Sequence, residues 1–149
     1  MNLAIKQAKK AYEKDEVPIG AVIVLNGKVI AKAHNDIENS QLSTRHAEII
    51  AIEKASKKLK SWRLDGAEMY VTLEPCPMCA GAIVNARIKR VVFGAYEKKS
   101  GSAVSKFDIL SSSGLNHKAE YVGGVMETEC ANLLKEYFKE KRKGEKYKA

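Results

Sequence analysis

Two short motifs constrain this chain more than any other feature: His46-Ala47-Glu48 and, with its first cysteine thirty residues on, Pro75-Cys76-Pro77-Met78-Cys79. One imidazole and two thiolates supply three of a zinc ion's four tetrahedral ligands and leave one position open for water. The fold must therefore carry two separate segments to one point. The second motif has its local geometry written into it. Each proline pushes the residue before it toward an extended backbone, Glu74 before Pro75 and Cys76 before Pro77. Cys76 is expected at a helix N-cap, with Pro77 at the first helical position, where proline is favoured. Cys79 then falls one turn on, close to the cap residue as capping-box partners are. The positive end of the helix also favours thiolates. The motif predicts a metal corner at a strand-to-helix junction.

The first motif is less self-contained. A helix is expected to open near Ser43 and Thr44, both good N-caps, and to run to about Lys60, with Ile49, Ile52, Ala55 and Leu59 toward the core. A helix N-terminus disfavours imidazolium and keeps His46 neutral for ligation. On a regular helix, positions i and i+2 lie about 200° apart. His46 and Glu48 converge on one ion only if His46 sits at the helix mouth.

Around these motifs the pattern alternates. Residues 2–14 predict a helix with Ile5, Ala8 and Ala11/Tyr12 on one face. Residues 19–25 and 28–33 predict strands joined by Asn26-Gly27, a strong hairpin signal. Residues 35–43 are polar and irregular. Further strands are expected at 67–73, 88–95 and 118–122, and helices at 78–86 and from about 127 to 142. The stretch 96–116 carries little signal, with a helical turn expected near Val104 to Leu110. These elements imply an α/β fold: a three-layer α/β/α sandwich around a mixed five-stranded sheet.

Length and charge bound the function. A chain of 149 residues with 45% hydrophobic residues suits one domain over 1–149, with a basic C-terminal helix and tail from about 127. No apolar run reaches the roughly 18 residues of a membrane span. The N-terminal region has no apolar block of signal-peptide type, so a cytoplasmic location is expected. Three cysteines make a poor disulfide framework and a good reduced metal site; Cys130 is expected as a small buried hydrophobe. Net charge is +8, and residues 135–149 hold seven Lys/Arg against three Glu. Such a tail suits a polyanion such as RNA, or a plainly solvated helix.

The pattern H-x-E followed by P-C-x-x-C is the signature of zinc-dependent nucleobase deaminases, in which the glutamate moves protons and is not a ligand. The reading is one Zn2+ per chain held by His46, Cys76 and Cys79, with Glu48 as proton shuttle for a zinc-activated water. A redox dithiol would leave His46 and Glu48 without a role. A closed structural zinc site would need a fourth ligand, and the spare candidates are only His34, His117 and Cys130.

Longer strings narrow the class. Glu16-Val17-Pro18-Ile19-Gly20-Ala21, Ala33-His34-Asn35, Trp62-Arg63-Leu64, Tyr70-Val71-Thr72-Leu73-Glu74-Pro75-Cys76, Met78-Cys79-Ala80-Gly81-Ala82 and Arg90-Val91-Val92-Phe93-Gly94-Ala95 closely resemble the bacterial tRNA adenosine deaminases, within the cytidine deaminase-like superfamily. The likeness covers nearly the whole chain. It implies conversion of the wobble adenosine of a tRNA anticodon stem-loop to inosine, a homodimer, and Asn35 as a contact to the target nucleotide. A deaminase of a free base or nucleotide, of guanine, cytosine or cytidine type, shares the metal motif and is the alternative. Two segments depart from the family: Leu42-Ser43-Thr44-Arg45, where Asp-Pro-Thr-Ala is common, and Tyr96 to Ser105.

Overall fold

The computed structural model describes residues 1–147, with side chains described through 144. The last two residues of the expected basic tail lie outside the described residues. Asn26 and Gly27 both take positive φ, 51° and 76°. A two-residue turn of this hand matches the twist of the strands it joins. It pairs β1 (Gly20–Leu25) antiparallel with β2 (Lys28–His34). On its other side β1 pairs antiparallel with β3 (Glu68–Leu73). β3 then runs parallel to β4 (Arg90–Ala95), and β4 parallel to β5 (Glu120–Val122). The result is a mixed five-stranded sheet in the order β2-β1-β3-β4-β5.

Strand side chains alternate between two faces, and each face has its own core. On one side Ala21, Ile23, Ala31 and Ala33 pack with α3 (Ala47–Leu59) and α4 (Pro77–Asn85) through Ile50, Ala51, Ala55, Ala80 and Ile83. On the other, α1 (Asn2–Glu13) and α5 (Glu127–Tyr147) close over the sheet, with Ile5, Ala95 and Cys130 buried together. Three layers follow, as the alternation of strands and helices predicts. Among the described residues no helix is long and apolar enough to cross a membrane.

Four local expectations are corrected. The irregular stretch after β2 contains a single turn of helix, α2 (Ile37–Ser40). α3 opens at Ala47, with His46 and not Ser43 or Thr44 as its cap residue. Its buried face is Ala47, Glu48, Ile50, Ala51 and Ala55, so Ile49 and Ile52 are half-buried and Leu59 is exposed. Three of the five buried residues are alanines, Ile50 is the large apolar contact, and Ile52 packs against the core from its margin. Residues 96–119 form turns without helix, wrapped around a carboxylate described below.

All the elements that matter for function meet at one end of the sheet. β2 ends there, β1 begins there, and β3 and β4 both run toward it. In an open α/β sheet, the ends of parallel strands are where ligand crevices form.

Candidate metal and catalytic site

Cys76 sits at the α4 N-cap with an extended backbone (φ −74°, ψ 173°), and Pro77 begins the helix. His46 has the matching place on α3 (φ −71°, ψ 151°). It lies outside the regular helix while Glu48 lies inside, which removes the 200° conflict. The extended residue turns the imidazole back toward α4. His46 Nδ1 is 3.7 Å from Cys76 Sγ and 3.4 Å from Cys79 Sγ. One ligand atom from each of the three residues falls within 4.8 Å of the others.

Hydrogen bonds couple the protons of the three groups. Cys76 is pulled down to about 4, chiefly by a hydrogen bond from the Cys79 thiol, with His46 assisting against the opposing effect of burial. Cys79, as the donor in that bond and a buried group near Glu48, is pushed up. His46 is raised by its hydrogen bond to Cys76, with burial opposing and Glu48 adding. One imidazole nitrogen and two sulfurs at this spacing match the donor set of a zinc ion with an open position.

Glu48 provides the second observation. It is 4% exposed, and burial pushes its carboxyl up to about 7. Its Oε1 is fully buried, and among the described residues it has no hydrogen-bond partner. A buried polar atom is rarely left unpaired without a reason. An orphaned carboxylate oxygen beside a three-ligand cluster fits a site that receives water and a polar ring.

A cavity of about 280 Å³ opens over these groups. His46, Glu48, Cys76 and Asn35 form its polar floor, and Val17, Ile19, Ile37, Leu73, Leu134 and Phe138 supply apolar wall. Asn35 is buried, and its Oδ1 accepts the Ala47 backbone N–H at 2.8 Å. It therefore caps α3 from twelve residues upstream. Among the described residues its amide nitrogen has no partner, and Asn35 still lines the cavity. The two aromatics of α5 divide: Tyr137 is buried and donates to the Asp15 carbonyl, whereas Phe138 is 43% exposed and borders the cavity.

Two buried glutamates outside the candidate set hold the cavity's rims. The Glu16 carboxylate accepts the backbone N–H groups of Ile37, Glu38 and Asn39 and the Asn39 side-chain amide. Burial pushes it up, but these hydrogen bonds win and hold it below the ordinary carboxylate range. Glu74, two residues before Cys76, does the same for the opposite rim. It accepts from the backbone of Glu97, Ala103, Val104 and Ser105 and from the Ser105 hydroxyl. A Cβ at Gly101 would meet this carboxylate at 2.5 Å, so only glycine lets the loop close. In the sequence Glu74 stands out only as a glutamate between an apolar strand and a proline, and Glu16, in the charged run 13–16, does not stand out at all.

The sequence over residues 1–142 matches the model of the family described as MafB19-like deaminase. The chain is 54% identical over 146 residues to the tRNA-specific adenosine deaminase of Bacillus subtilis (strain 168), covering 98% of this chain and 91% of that protein. A solved structure from work on A-to-I editing by tRNA:A34 deaminases at the wobble position superposes with a TM-score of 0.87 at 46% identity, covering 90% of this chain and 97% of that one. A guanine deaminase structure from Bacillus subtilis aligns less fully, with a TM-score of 0.62 at 39% identity over 72% of this chain and 68% of that one.

Proposed function

This chain belongs to the MafB19-like deaminase family, and we propose that it hydrolytically deaminates adenosine to inosine at the wobble position of a tRNA anticodon loop. The orphaned, fully buried Oε1 of Glu48 beside the His46–Cys76–Cys79 cluster is the observation that carries the hydrolytic reading. Likeness to tRNA-specific adenosine deaminases supports the choice of substrate.

His46 Nδ1, Cys76 Sγ and Cys79 Sγ would hold one zinc ion. When bound, that ion would act as a Lewis acid and make water a nucleophile at neutral pH. The chain's own residues do the rest. Glu48 takes one proton from the attacking water and passes it to the ring nitrogen next to the attacked carbon. It then delivers the water's second proton to the departing amino group, so that adenosine and water become inosine and ammonia. A carboxyl raised to about 7 by burial gives and takes protons with comparable ease near neutral pH. The amide nitrogen of Asn35, which lines the cavity, would donate to the purine, while its oxygen keeps α3 in position. The apolar walls stack and desolvate the base. In a helix the base would be stacked away from the site, so a single-stranded loop is the suitable substrate.

A homodimer in the cytoplasm completes the reading. Likeness to a guanine deaminase keeps a free-base substrate as the second reading. Ammonia release from an anticodon stem-loop, free adenosine, adenine, cytidine and guanine decides between them. Much faster turnover of the stem-loop is expected. Faster turnover of any free base or nucleoside would overturn the RNA assignment.

A further inference from the structure

We infer that a cationic notch next to the catalytic cavity is a phosphate subsite, holding a backbone phosphate of the RNA beside the target nucleotide; this rests on the RNA reading of the function. The notch has a volume of about 200 Å³ and is lined by Lys14, His34, Asp36, Arg45, Ile50 and Lys54. Four parts of the fold converge on it: the end of α1, the end of β2, the residue before the α3 cap, and the second turn of α3. Two of the lining residues are chain neighbours of site residues, His34 of Asn35 and Arg45 of His46. A nucleotide whose base enters the cavity would carry its flanking phosphates past these chain neighbours.

Three cations face one carboxylate, Asp36, in the lining. Their donors are incompletely used. Lys54 Nζ donates to the Lys32 carbonyl at 2.9 Å, which leaves two of its three protons. Arg45 Nη1 pairs with Glu53 at 2.7 Å, and among the described residues the other nitrogens of its guanidinium make no hydrogen bond. His34 Nδ1 lies 2.8 Å from the Asn35 carbonyl, which only accepts, so this nitrogen carries the ring proton. Nε2 is then an acceptor, 3.4 Å from Lys14 Nζ, and helps to point that ammonium. Convergent donors with one small opening suit a tetrahedral anion.

The neighbouring groove between α1, α2 and α5 is larger, at about 520 Å³, and also carries lysine. There, however, Lys141 Nζ is already bound to the Asp15 carboxylate at 2.6 Å, and Glu38 adds negative charge. With Arg45 paired to Glu53, the notch still sets three cations against two carboxylates, Asp36 and Glu53, whereas in the groove Lys14 and Lys141 meet Asp15 and Glu38.

The test compares wild-type protein with a Lys14→Gln/Lys54→Gln variant, neither residue being in the catalytic or metal machinery. The probes are an anticodon stem-loop and two copies of it, each with one neutral methylphosphonate linkage flanking the adenosine. The variant should raise KM about tenfold with kcat nearly unchanged, the scale of one lost charged contact. The slope of log affinity against log salt should fall by about one unit or slightly less. One of the two methylphosphonates should weaken wild-type binding by about the same factor and leave the variant unaffected. If wild-type protein turns over the stem-loop but the variant matches it in KM and salt slope, the notch is overturned and the function stands. The same holds if each methylphosphonate weakens both proteins equally. Wild-type protein that leaves the stem-loop adenosine unchanged overturns the function, and the subsite with it.

Discussion

The N-termini of α3 and α4 have the same task and reach it by different means. Each places an extended residue at the cap position, His46 or Cys76, and neither uses that side chain as a cap. At α4 the geometry is local: Pro75 and Pro77 restrict the backbone on either side, and Cys79 follows one turn on. At α3 it is tertiary: Asn35, at the end of β2, reaches across to cap Ala47. The cysteine corner should therefore be formed by its own sequence, whereas the histidine is delivered only once the sheet and α3 have docked. Half of the site is built locally and half by the fold.

The severest way to break this arrangement is to remove a sulfur. Cys76→Ala or Cys79→Ala leaves two ligands, and both should lose bound zinc and all measurable turnover. Elemental analysis checks the metal, with about one zinc per chain expected in the wild type. Next in size is Glu48→Ala, which removes proton transfer without touching a ligand. It should keep zinc and lower kcat by about 10²–10⁴-fold; simultaneous loss of metal would make Glu48 a ligand and not a shuttle.

The two caps are compared directly by Asn35→Ala and Pro77→Ala. Loss of a side-chain cap costs about 1 kcal/mol, and for a domain near this size that lowers Tm by roughly 2–4 °C. Removing a compatible proline costs about 0.4–1 kcal/mol. The sharper difference is in the metal site. Asn35→Ala should weaken zinc binding because it frees the α3 mouth that holds His46, and Pro77→Ala should not. Equal zinc affinities in thermal and chelator titrations would show that α3 needs no outside anchor.

The smallest effect concerns the cavity rim. The Glu16 carboxyl lies below its ordinary range when folded, so its contribution to stability is present above the unfolded carboxylate value and fades as pH falls through the folded one. Glu16→Gln should thus destabilise at pH 7 by about 1–3 kcal/mol, the scale of hydrogen bonds to a charged group. The gap between variant and wild type should close in acid. A gap that stayed constant with pH would remove the charge from the explanation.

The same contrast explains what could be read in the chain beforehand. The strands, the Asn26-Gly27 turn and the α4 corner follow from neighbours in sequence, and each is where the local pattern puts it. Ser43 and Thr44 look like caps but precede the helix, because the operative partner is Asn35 in another element. The first part of the 96–119 segment gave no pattern because Glu97 and residues 103–105 are held by hydrogen bonds to Glu74, more than twenty residues away. Of the site, His46, Glu48, Cys76 and Cys79 were legible from motif spacing. Asn35 was picked out as a nucleotide contact, while its place in the fold is first that of a cap. Phe138 borders the cavity while its neighbour Tyr137 is buried, a division that the local pattern of the helix does not reveal.

In the proposed reaction the two helix mouths and Glu48 act together on adenosine in tRNA. Sequencing total tRNA after incubation with the zinc-loaded protein, beside the Glu48→Ala variant, tests it most directly. A-to-I change at an anticodon wobble position is expected with the wild type and none with the variant. Unchanged tRNA with the wild type, or equal inosine from both proteins, would contradict it.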